Sequence, residues 1–222
     1  MSDAHKSDLL LVVVTLFAAF GWMFSKEAVL MMPPLMFMAA RFLIAGSVLA
    51  LIALPSLLRL SADQLGRAVG VGAVFGIAMT CWIMGLFHAE SMGEGAFLTS
   101  LGVVIVPVLA RLVFGEPQPI STWLAIPIAV SGLALLSLEN GFRPDPGQLY
   151  FVAAAFIFAL YFTLNTRAAN QRTVVNKRGE TIQKQKVPAL PLTAMALLTV
   201  GLVTLAESAI SEPWAPTLTN PP

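Results

Sequence analysis

Apolar runs of about twenty residues recur along the chain and constrain its fold more than any other feature. A helix needs about 20 apolar residues to cross the hydrocarbon core of a bilayer. The runs are separated by short stretches that hold charged residues, glycine and proline. We predict about seven spanning helices, over 9–25, 33–54, 68–87, 95–114, 119–138, 147–166 and 187–206. The sequence therefore predicts an all-α polytopic membrane protein.

Composition supports the same fold class. Hydrophobic residues make up 57% of the chain and charged residues only 11%, whereas soluble domains carry about 25% charged residues. The first apolar run is long for a signal peptide, and further spans follow it, so we expect it to be a membrane helix. The net charge of +1 gives no indication of nucleic-acid binding. Cys81 is the single cysteine, and no metal-ligand spacing occurs, so we expect no cofactor or metal.

The distribution of lysine and arginine indicates how the chain is oriented. Cytoplasmic loops of membrane proteins carry an excess of both residues. Placing the N-terminus in the cytoplasm puts ten lysine and arginine residues inside and two outside. Six of the ten lie in the basic loop 167–186. The inside set is Lys6, Arg59, Arg67, Arg111, Arg167, Arg172, Lys177, Arg178, Lys184 and Lys186, and the outside set is Lys26 and Arg143. We therefore predict a multi-pass protein of the plasma (inner) membrane with a cytoplasmic N-terminus.

Two short segments indicate an internal repeat. "FAAFGWMFSK" (17–26) is similar to "FIFALYFTLN" (156–165), and the alignment places Trp22 against Tyr161. Five predicted spans separate the two segments, and an odd number of spans per repeat inverts the second unit relative to the first. We predict a five-helix repeat over 1–140 and an incomplete second repeat of about two helices over 147–222. The two aromatic residues could line a central cavity or fill the bundle core.

Arg41 interrupts an otherwise uncharged run in the second predicted helix, "PPLMFMAARFLIAGSVLALIALP". An arginine at a bilayer centre costs at least about 2.5 kcal/mol, and such charges usually face a bundle interior or a cavity. At 1.5 Å per residue, Arg41 lies about 10 Å from the end of the helix near Pro34. Two interpretations remain open: a charge that faces the path of a solute, or a structural pairing with Glu27, Glu90 or Glu94.

The clearest polar cluster is "GLFHAESMGEG", which joins the third and fourth predicted helices. It holds His88, Glu90 and Glu94. These residues could form a solvated loop, with Glu94 near a helix N-terminus, or a proton-linked outer gate, because histidine titrates near neutral pH. A membrane-embedded enzyme is the weakest interpretation, because no nucleophile or metal set accompanies the cluster.

Glycine and proline recur inside the predicted helices. Gly66 with Gly70, and Gly72 with Gly76, form G-x-x-x-G pairs that let helix backbones approach closely. We expect these four residues to mediate helix packing. Pro107 and Pro127 fall near the middle of the fourth and fifth helices, where each removes a backbone hydrogen bond and favours a kink.

The run "GLFHAESMGEGAFLTSLGVVIVPVLARLVFGEPQP" (85–119) resembles the end of the first repeat in EamA-type carriers of the drug/metabolite transporter superfamily. "AARFLIAG" (39–46) is similar to the second-helix signature of that family, "WLAIPIAVSGLALLSL" (123–138) to its fifth helix, and 147–169 to its sixth. The resemblance implies about ten helices in two inverted halves around a substrate cavity, with both termini cytoplasmic. It implies export of amino acids or other small metabolites, often against protons, and maps the family's helix-two arginine and helix-one aromatic to Arg41 and Trp22.

These observations lead to one leading hypothesis and one alternative. We expect a secondary transporter, an exporter of small organic metabolites, that works by alternating access in a lipid bilayer with proton coupling. Its substrate pathway would be lined by Trp22, Arg41, Tyr161 and Asn165. The alternative is a truncated, non-transporting membrane protein or a half-carrier. In that case a second copy or a missing C-terminal half would complete it.

Overall fold

A computed structural model describes residues 3–89, 92–139, 146–175 and 180–213, and folds them into seven α-helices and one β-hairpin. Six of the helices in this part of the chain are long and apolar enough to cross a membrane, which confirms the predicted polytopic membrane fold. The fifth helix holds a shorter apolar segment, Ile120–Gly132. The helices are α1 Asp3–Met31, α2 Pro34–Leu57, α3 Ala62–His88, α4 Met92–Phe114, α5 Ile120–Glu139, α6 Pro146–Ala169 and α7 Ala189–Ser211.

Most helices extend beyond the apolar runs that predict them, and in α3 a local cap sets where the helix begins. Ser61 and Gln64 form a capping box at the start of α3, each side chain bonding the backbone N–H of the other residue. α2 begins at Pro34, where the fixed φ of proline suits the first helical turn. The polar first turn of α3 is therefore helical although it lies outside the apolar run.

The segment 167–186, predicted only as a basic loop, contains a two-stranded hairpin. Strand β1 (Arg172–Val175) pairs antiparallel with β2 (Thr181–Lys184), and Arg172 lies opposite Lys184. Both strands carry β-branched residues, which favour extended backbone. The sequence analysis described this segment only as a basic loop and did not predict its two strands. The end of the bundle that carries this hairpin is called the hairpin end below.

The packing joins the two predicted repeats closely. α2 makes its most extensive contact with α7, and α3 packs against both α6 and α7. α6 also packs along α4, but α6 and α7 barely touch each other. α1 and α5 lie at the periphery. The division into 1–140 and 147–222 stays a prediction, but within the described chain α6 and α7 depend on helices of the first unit for their packing.

Two glycines let α6 lie between α3 and α4. Phe151 of α6 is almost fully buried, and a Cβ atom added at Gly85 or Gly95 would lie 2.9 Å or 2.4 Å from its ring. Real Cβ atoms do not approach so closely, so only glycine leaves room for this ring. The insertion of Phe151 fixes the depth and rotation of α6 against the first unit.

The four glycines of the G-x-x-x-G pairs have different surroundings. A Cβ at Gly72 would lie 2.6 Å from Thr199 Cβ and 2.9 Å from the Ala196 backbone, and one at Gly76 would lie 3.2 Å from Val203. Both glycines therefore sit at the contact between α3 and α7. Gly66 and Gly70 would meet no atom within 4 Å among the described residues, so close packing is restricted to Gly72 and Gly76.

The internal prolines do not end their helices. Pro107 lies inside α4 and Pro127 inside α5, and both helices continue through them. Pro55 also lies inside a helix, near the end of α2. Neighbouring helices and local adjustments tolerate such prolines in membrane bundles. Kinks at Pro107 and Pro127 stay predictions.

We expect Gly72→Ala to lower the free energy of unfolding by about 1–3 kcal/mol, because the new methyl group overpacks the contact with the α7 backbone. Gly70→Ala is the matched control. It makes the same chemical change two residues away, in open space, and should be neutral or slightly stabilising. Thermal or denaturant unfolding of the purified protein in detergent measures both. Equal stability of the two variants would contradict the close α3–α7 contact.

Candidate functional site

A cavity of about 600 Å³ opens between five helices of the bundle. Binding pockets for small molecules typically enclose about 300–1,000 Å³ and are mostly apolar with a few polar groups. The walls come from α1 (Ala18, Trp22), α2 (Arg41, Phe42), α3 (Phe75, Met79, Trp82), α4 (Ala96, Thr99, Ser100, Val103) and α6 (Phe158, Tyr161, Phe162).

Aromatic side chains make up half of the residues that line the cavity, and several of them pack against one another. Trp22 meets Trp82 edge to face, with ring centroids 4.8 Å apart. Phe75 stacks on Tyr161, with centroids 4.3 Å apart, and meets Phe42 edge to face at 5.8 Å. Such pairs contribute about 0.5–1.5 kcal/mol each beyond the area that they bury. These ring contacts therefore join α3 to α1, α2 and α6 around the cavity.

Arg41 is the charged residue among the described residues that line this cavity. Its Nη1 donates a hydrogen bond of 3.0 Å to the hydroxyl of Ser25 on α1, and Ser25 in turn donates to the Gly21 carbonyl at 2.6 Å. Ser25 is fully buried. The guanidinium carbon also lies 5.8 Å from the ring of Phe42. The polar partner of the guanidinium in this network is thus a neutral hydroxyl.

The structure bears on the three carboxylates considered as partners for Arg41. Within the described residues, no ion pair joins Arg41 to a carboxylate. Glu27 is exposed on α1. Glu90 and the side chain of Glu94 lie outside the described residues. The described geometry places Arg41 on the cavity wall, and its pairing with Glu90 or Glu94 stays an open interpretation.

The predicted pathway residues differ in their positions. Trp22 and Tyr161, aligned by the weak repeat, line the same cavity on different helices, together with Arg41. Asn165, one turn beyond Tyr161, is not among the described residues that line it. The indole Nε1 of Trp22 is buried and has no hydrogen-bond partner in the described part of the chain. Buried donors of this kind are normally paired.

Of the predicted outer gate, only the side chain of His88 is described. It lies exposed at the end of α3, where its Nδ1 and the Met84 carbonyl oxygen are 2.8 Å apart and its ring stacks on Tyr150 at 5.5 Å. It does not line the cavity that Arg41 faces. The stacking fixes His88 at the contact between the ends of α3 and α6.

Three charged residues with structural roles were not singled out from the sequence. Lys26 Nζ donates to the Leu86 and Ala89 carbonyls, both at 2.8 Å, and so caps the end of α3. Glu212 accepts from the backbone N–H groups of Leu35 and Met36 at the start of α2, at 2.7 and 2.9 Å. Carboxylates are favoured at helix N-termini and cations at C-termini. The third residue, Glu207 of α7, accepts a hydrogen bond of 2.5 Å from Thr80 of α3.

A second cavity, of about 670 Å³, lies beside Glu212 between the ends of α1, α2, α3 and α7. Its lining is apolar apart from Ser211 and Glu212. Because the Glu212 carboxylate already accepts two backbone N–H groups and the Ser208 hydroxyl, it has little capacity left for a ligand. The cavity with Arg41 is therefore the better candidate site.

Comparison with known proteins agrees with the membrane fold. The model of the EamA-like transporter family matches residues 5–138, which is more than half of the chain. The chain belongs to the EamA-like transporter family. That match covers α1 to α5 and includes Trp22 and Arg41, while Tyr161 lies beyond it. Members are transporters of the drug/metabolite superfamily, so the chain is a multi-pass membrane protein of a transporter family.

A solved structure titled only "Crystal structure of protein" shares this fold. It is 23% identical to the EamA-like chain and superposes with a TM-score of 0.55. The match covers 86% of this chain but 62% of the other, so the chain spans less than two thirds of that protein's length. At this level of identity the likeness concerns the fold alone. No curated protein matches the sequence.

If the cavity is open to water, a cysteine on its wall should react with a hydrophilic thiol reagent. We expect Ser100→Cys, in a Cys81→Ser background, to be modified about tenfold faster or more than Ile44→Cys. Ile44 is the matched control. It lies on α2 at a similar distance from the helix end, exposed on the outside of the bundle and away from the cavity. A thiol in hydrocarbon cannot ionise readily and reacts slowly.

The modification rates are measured by mass spectrometry on the protein in lipid nanodiscs. Equal slow rates at both positions would show that water does not enter the cavity, and equal fast rates would show that the reagent does not distinguish cavity from lipid. Either result contradicts a water-accessible site at Ser100.

Proposed function

We propose that this EamA-like protein is a secondary transporter of small organic metabolites that carry a carboxylate, with amino acids as the leading class. The proposed direction is export across the plasma membrane, by alternating access around the cavity that Arg41 faces. The observation that carries the proposal is a guanidinium on an aromatic cavity whose polar partner is a hydroxyl. Trp22, Arg41 and Tyr161 are the proposed contact residues, and Asn165 is proposed to act outside the cavity wall described above.

The charge of Arg41 supports an anionic substrate. A guanidinium offers five N–H donors in a planar fork that matches a carboxylate. The bond to Ser25 uses one of these donors. Because a charge within a membrane-spanning helix is costly unless it meets polar or charged groups, a substrate carboxylate beside Arg41 would be favoured over a neutral group.

The aromatic wall supports a substrate with an amino group or an apolar side chain. Ammonium groups are attracted to the faces of tryptophan, tyrosine and phenylalanine within about 6 Å. Trp22, Trp82, Phe75 and Tyr161 offer such surfaces on the same cavity as Arg41. An amino acid could place its carboxylate at Arg41 and its ammonium or side chain on this wall.

Proton coupling and gating are part of the proposal. His88, Glu90 and Glu94 belong to the segment that joins α3 to α4 at the end of the bundle opposite the hairpin. In this proposal movement of the segment opens or closes the cavity on that side, and the contact of His88 with Tyr150 links the segment to α6. Tests of pH dependence with His88→Gln address this part of the proposal separately from substrate binding.

The proposed orientation follows from the charges at the two ends. Arg59, Arg67, Arg111, Arg167 and Lys184 all lie at or near the hairpin end, whereas Lys26 lies at the opposite end. Because cytoplasmic loops are rich in lysine and arginine, we propose that the hairpin end faces the cytoplasm. The N-terminus of α1 would then be cytoplasmic as well.

A half-carrier that needs a partner is the alternative, and the surface of α1 favours it. Large apolar side chains are exposed along almost the whole helix, for example Leu10, Phe17 and Phe24, each more than 60% exposed. Lipid could cover this face, as could a second copy or a further set of helices. Cross-linking of a cysteine placed at Phe17 would distinguish a protein partner from lipid.

We expect Arg41→Gln to lower the rate of amino-acid transport, or the affinity of binding, by about tenfold to a hundredfold. This corresponds to the loss of one charge-assisted hydrogen bond. Arg41→Lys, which keeps the charge but not the planar fork, should lose less. The measurement is counterflow of a panel of radiolabelled amino acids, and of their amides, in proteoliposomes.

Arg59→Gln is the matched control, because it removes the same charge from an exposed position at the far end of α2. It should transport as the wild type does. If Arg41→Gln transports normally, or if amides are carried as well as carboxylates, the proposed role of Arg41 is wrong. A wild-type protein that folds but carries no member of the panel would favour the half-carrier.

A further inference from the structure

Three arginines converge at the hairpin end, outside the cavity described above. Arg67 comes from the second turn of α3, Arg167 from the last turn of α6 and Arg172 from the start of β1. Each has a guanidinium nitrogen that is buried and has no hydrogen-bond partner in the described part of the chain: Nη1 of Arg67, Nε of Arg167 and Nε of Arg172. Buried polar groups are normally paired, so three unpartnered donors in one place call for a ligand.

The remaining bonds of Arg67 and Arg167 tie α3 and α6 to neighbouring segments. Arg67 Nε bonds Asp63 at 2.9 Å, and its Nη2 donates to the Gln185 carbonyl at 2.6 Å, which ties α3 to the chain after β2. Arg167 pairs with Glu116 and lies over the ring of Phe114 at 4.3 Å. These contacts hold the guanidinium groups of Arg67 and Arg167 near the hairpin and leave the three nitrogens without a described partner.

The electrostatic balance at this cluster is positive. Lys184 also bonds Asp63, at 2.6 Å. The cluster thus holds four cations, Arg67, Arg167, Arg172 and Lys184, against two carboxylates that are already engaged, Asp63 and Glu116. Burial lowers the pKa of Arg172, and the charges of Arg167 and Arg67 lower it further. The three guanidinium groups are therefore close enough to repel one another, and an anion would relieve that repulsion.

We propose that Arg67, Arg167 and Arg172 form a binding site for a phosphate group at the hairpin end. Arginine is suited to this ligand because its planar fork pairs with phosphate oxygens through two parallel hydrogen bonds. The side chains of Arg67 and Arg167 are 13% and 20% exposed, so each keeps an edge open to a ligand. Small rotations of these flexible side chains bring the unpartnered nitrogens onto the anion.

The position of the cluster indicates the source of the phosphate. α6 ends at Ala169, and α3 begins at Ala62, so the arginines lie where spanning helices leave the hydrocarbon. Headgroups of anionic phospholipids lie at this depth, and basic pockets between helices bind them. A phospholipid headgroup is therefore favoured over a soluble phosphate compound. The hairpin that supplies Arg172 would in that case lie against the membrane surface.

The test compares ligands by thermal unfolding of the purified full-length chain in detergent. Phosphatidylglycerol, phosphatidylcholine and inorganic phosphate are added separately, with sodium chloride matching the ionic strength. We expect phosphatidylglycerol to raise the melting temperature and phosphatidylcholine to have little effect. Stabilisation by inorganic phosphate alone would support the site but assign it to a soluble ligand. No stabilisation by either anion would overturn the proposal.

Two variants decide whether the arginine cluster is responsible. Arg172→Gln should raise the concentration of phosphatidylglycerol needed for half of the stabilisation about tenfold, as expected for one charge-assisted hydrogen bond. Arg59→Gln removes an exposed charge at the same end and should have no such effect. Equal losses in the two variants would mean attraction by general charge only, which overturns the proposal.

Without added lipid, Arg172→Gln should be as stable as the wild type, because the substitution also removes repulsion. If this variant does not fold, Arg172→Lys compared with Arg59→Lys carries the test, since lysine keeps the charge but lacks the fork. Arg172→Lys should then bind more weakly than the wild type, and unchanged binding would overturn the site.

Discussion

The placement of Arg41 is the constraint on which the rest of this structure depends. A guanidinium within a membrane-spanning helix must meet polar groups or water, because apolar surroundings penalise its charge. Here Ser25 of α1 accepts one hydrogen bond, and an aromatic cavity lies beside the remaining donors. This hydrogen bond joins α1 to α2. Because α1 makes few contacts with the rest of the bundle, each such bond matters for its position. The charge and the cavity are therefore a single structural feature.

Close helix packing makes the wall opposite Arg41. Glycines at 85 and 95 admit Phe151, which sets α6 between α3 and α4 and brings Tyr161 onto Phe75. Two further contacts hold the ends of the helices. Lys26 of α1 caps the end of α3, and the Glu212 carboxylate caps the start of α2. α6 thus adds Phe158, Tyr161 and Phe162 to a cavity whose other lining residues come from α1 to α4.

Much of this arrangement follows from the sequence, since the apolar runs predict seven helices and a short alignment pairs Trp22 with Tyr161, both found on the cavity. Apolar length is a local property and is readable without a fold. What could not be predicted depends on contacts between distant segments. Gly70 and Gly72 look alike in sequence, but only Gly72 meets another helix. Glu212 lies 177 positions from Leu35 in the sequence, and no local sequence pattern predicts the contact between them. The hairpin of β1 and β2 was not predicted, because the basic residues of 167–186 indicated a loop and the β-branched residues among them were given no weight.

The most direct test is an experimental structure of the protein in lipid nanodiscs with an amino-acid substrate, at a resolution that shows side chains. We predict that the carboxylate of the ligand lies within hydrogen-bond distance, about 2.7–2.9 Å, of the Arg41 guanidinium, and that Ser25 keeps its bond to Arg41. A guanidinium that instead points to lipid headgroups or pairs with Glu27, Glu90 or Glu94, with the ligand elsewhere, would contradict the account.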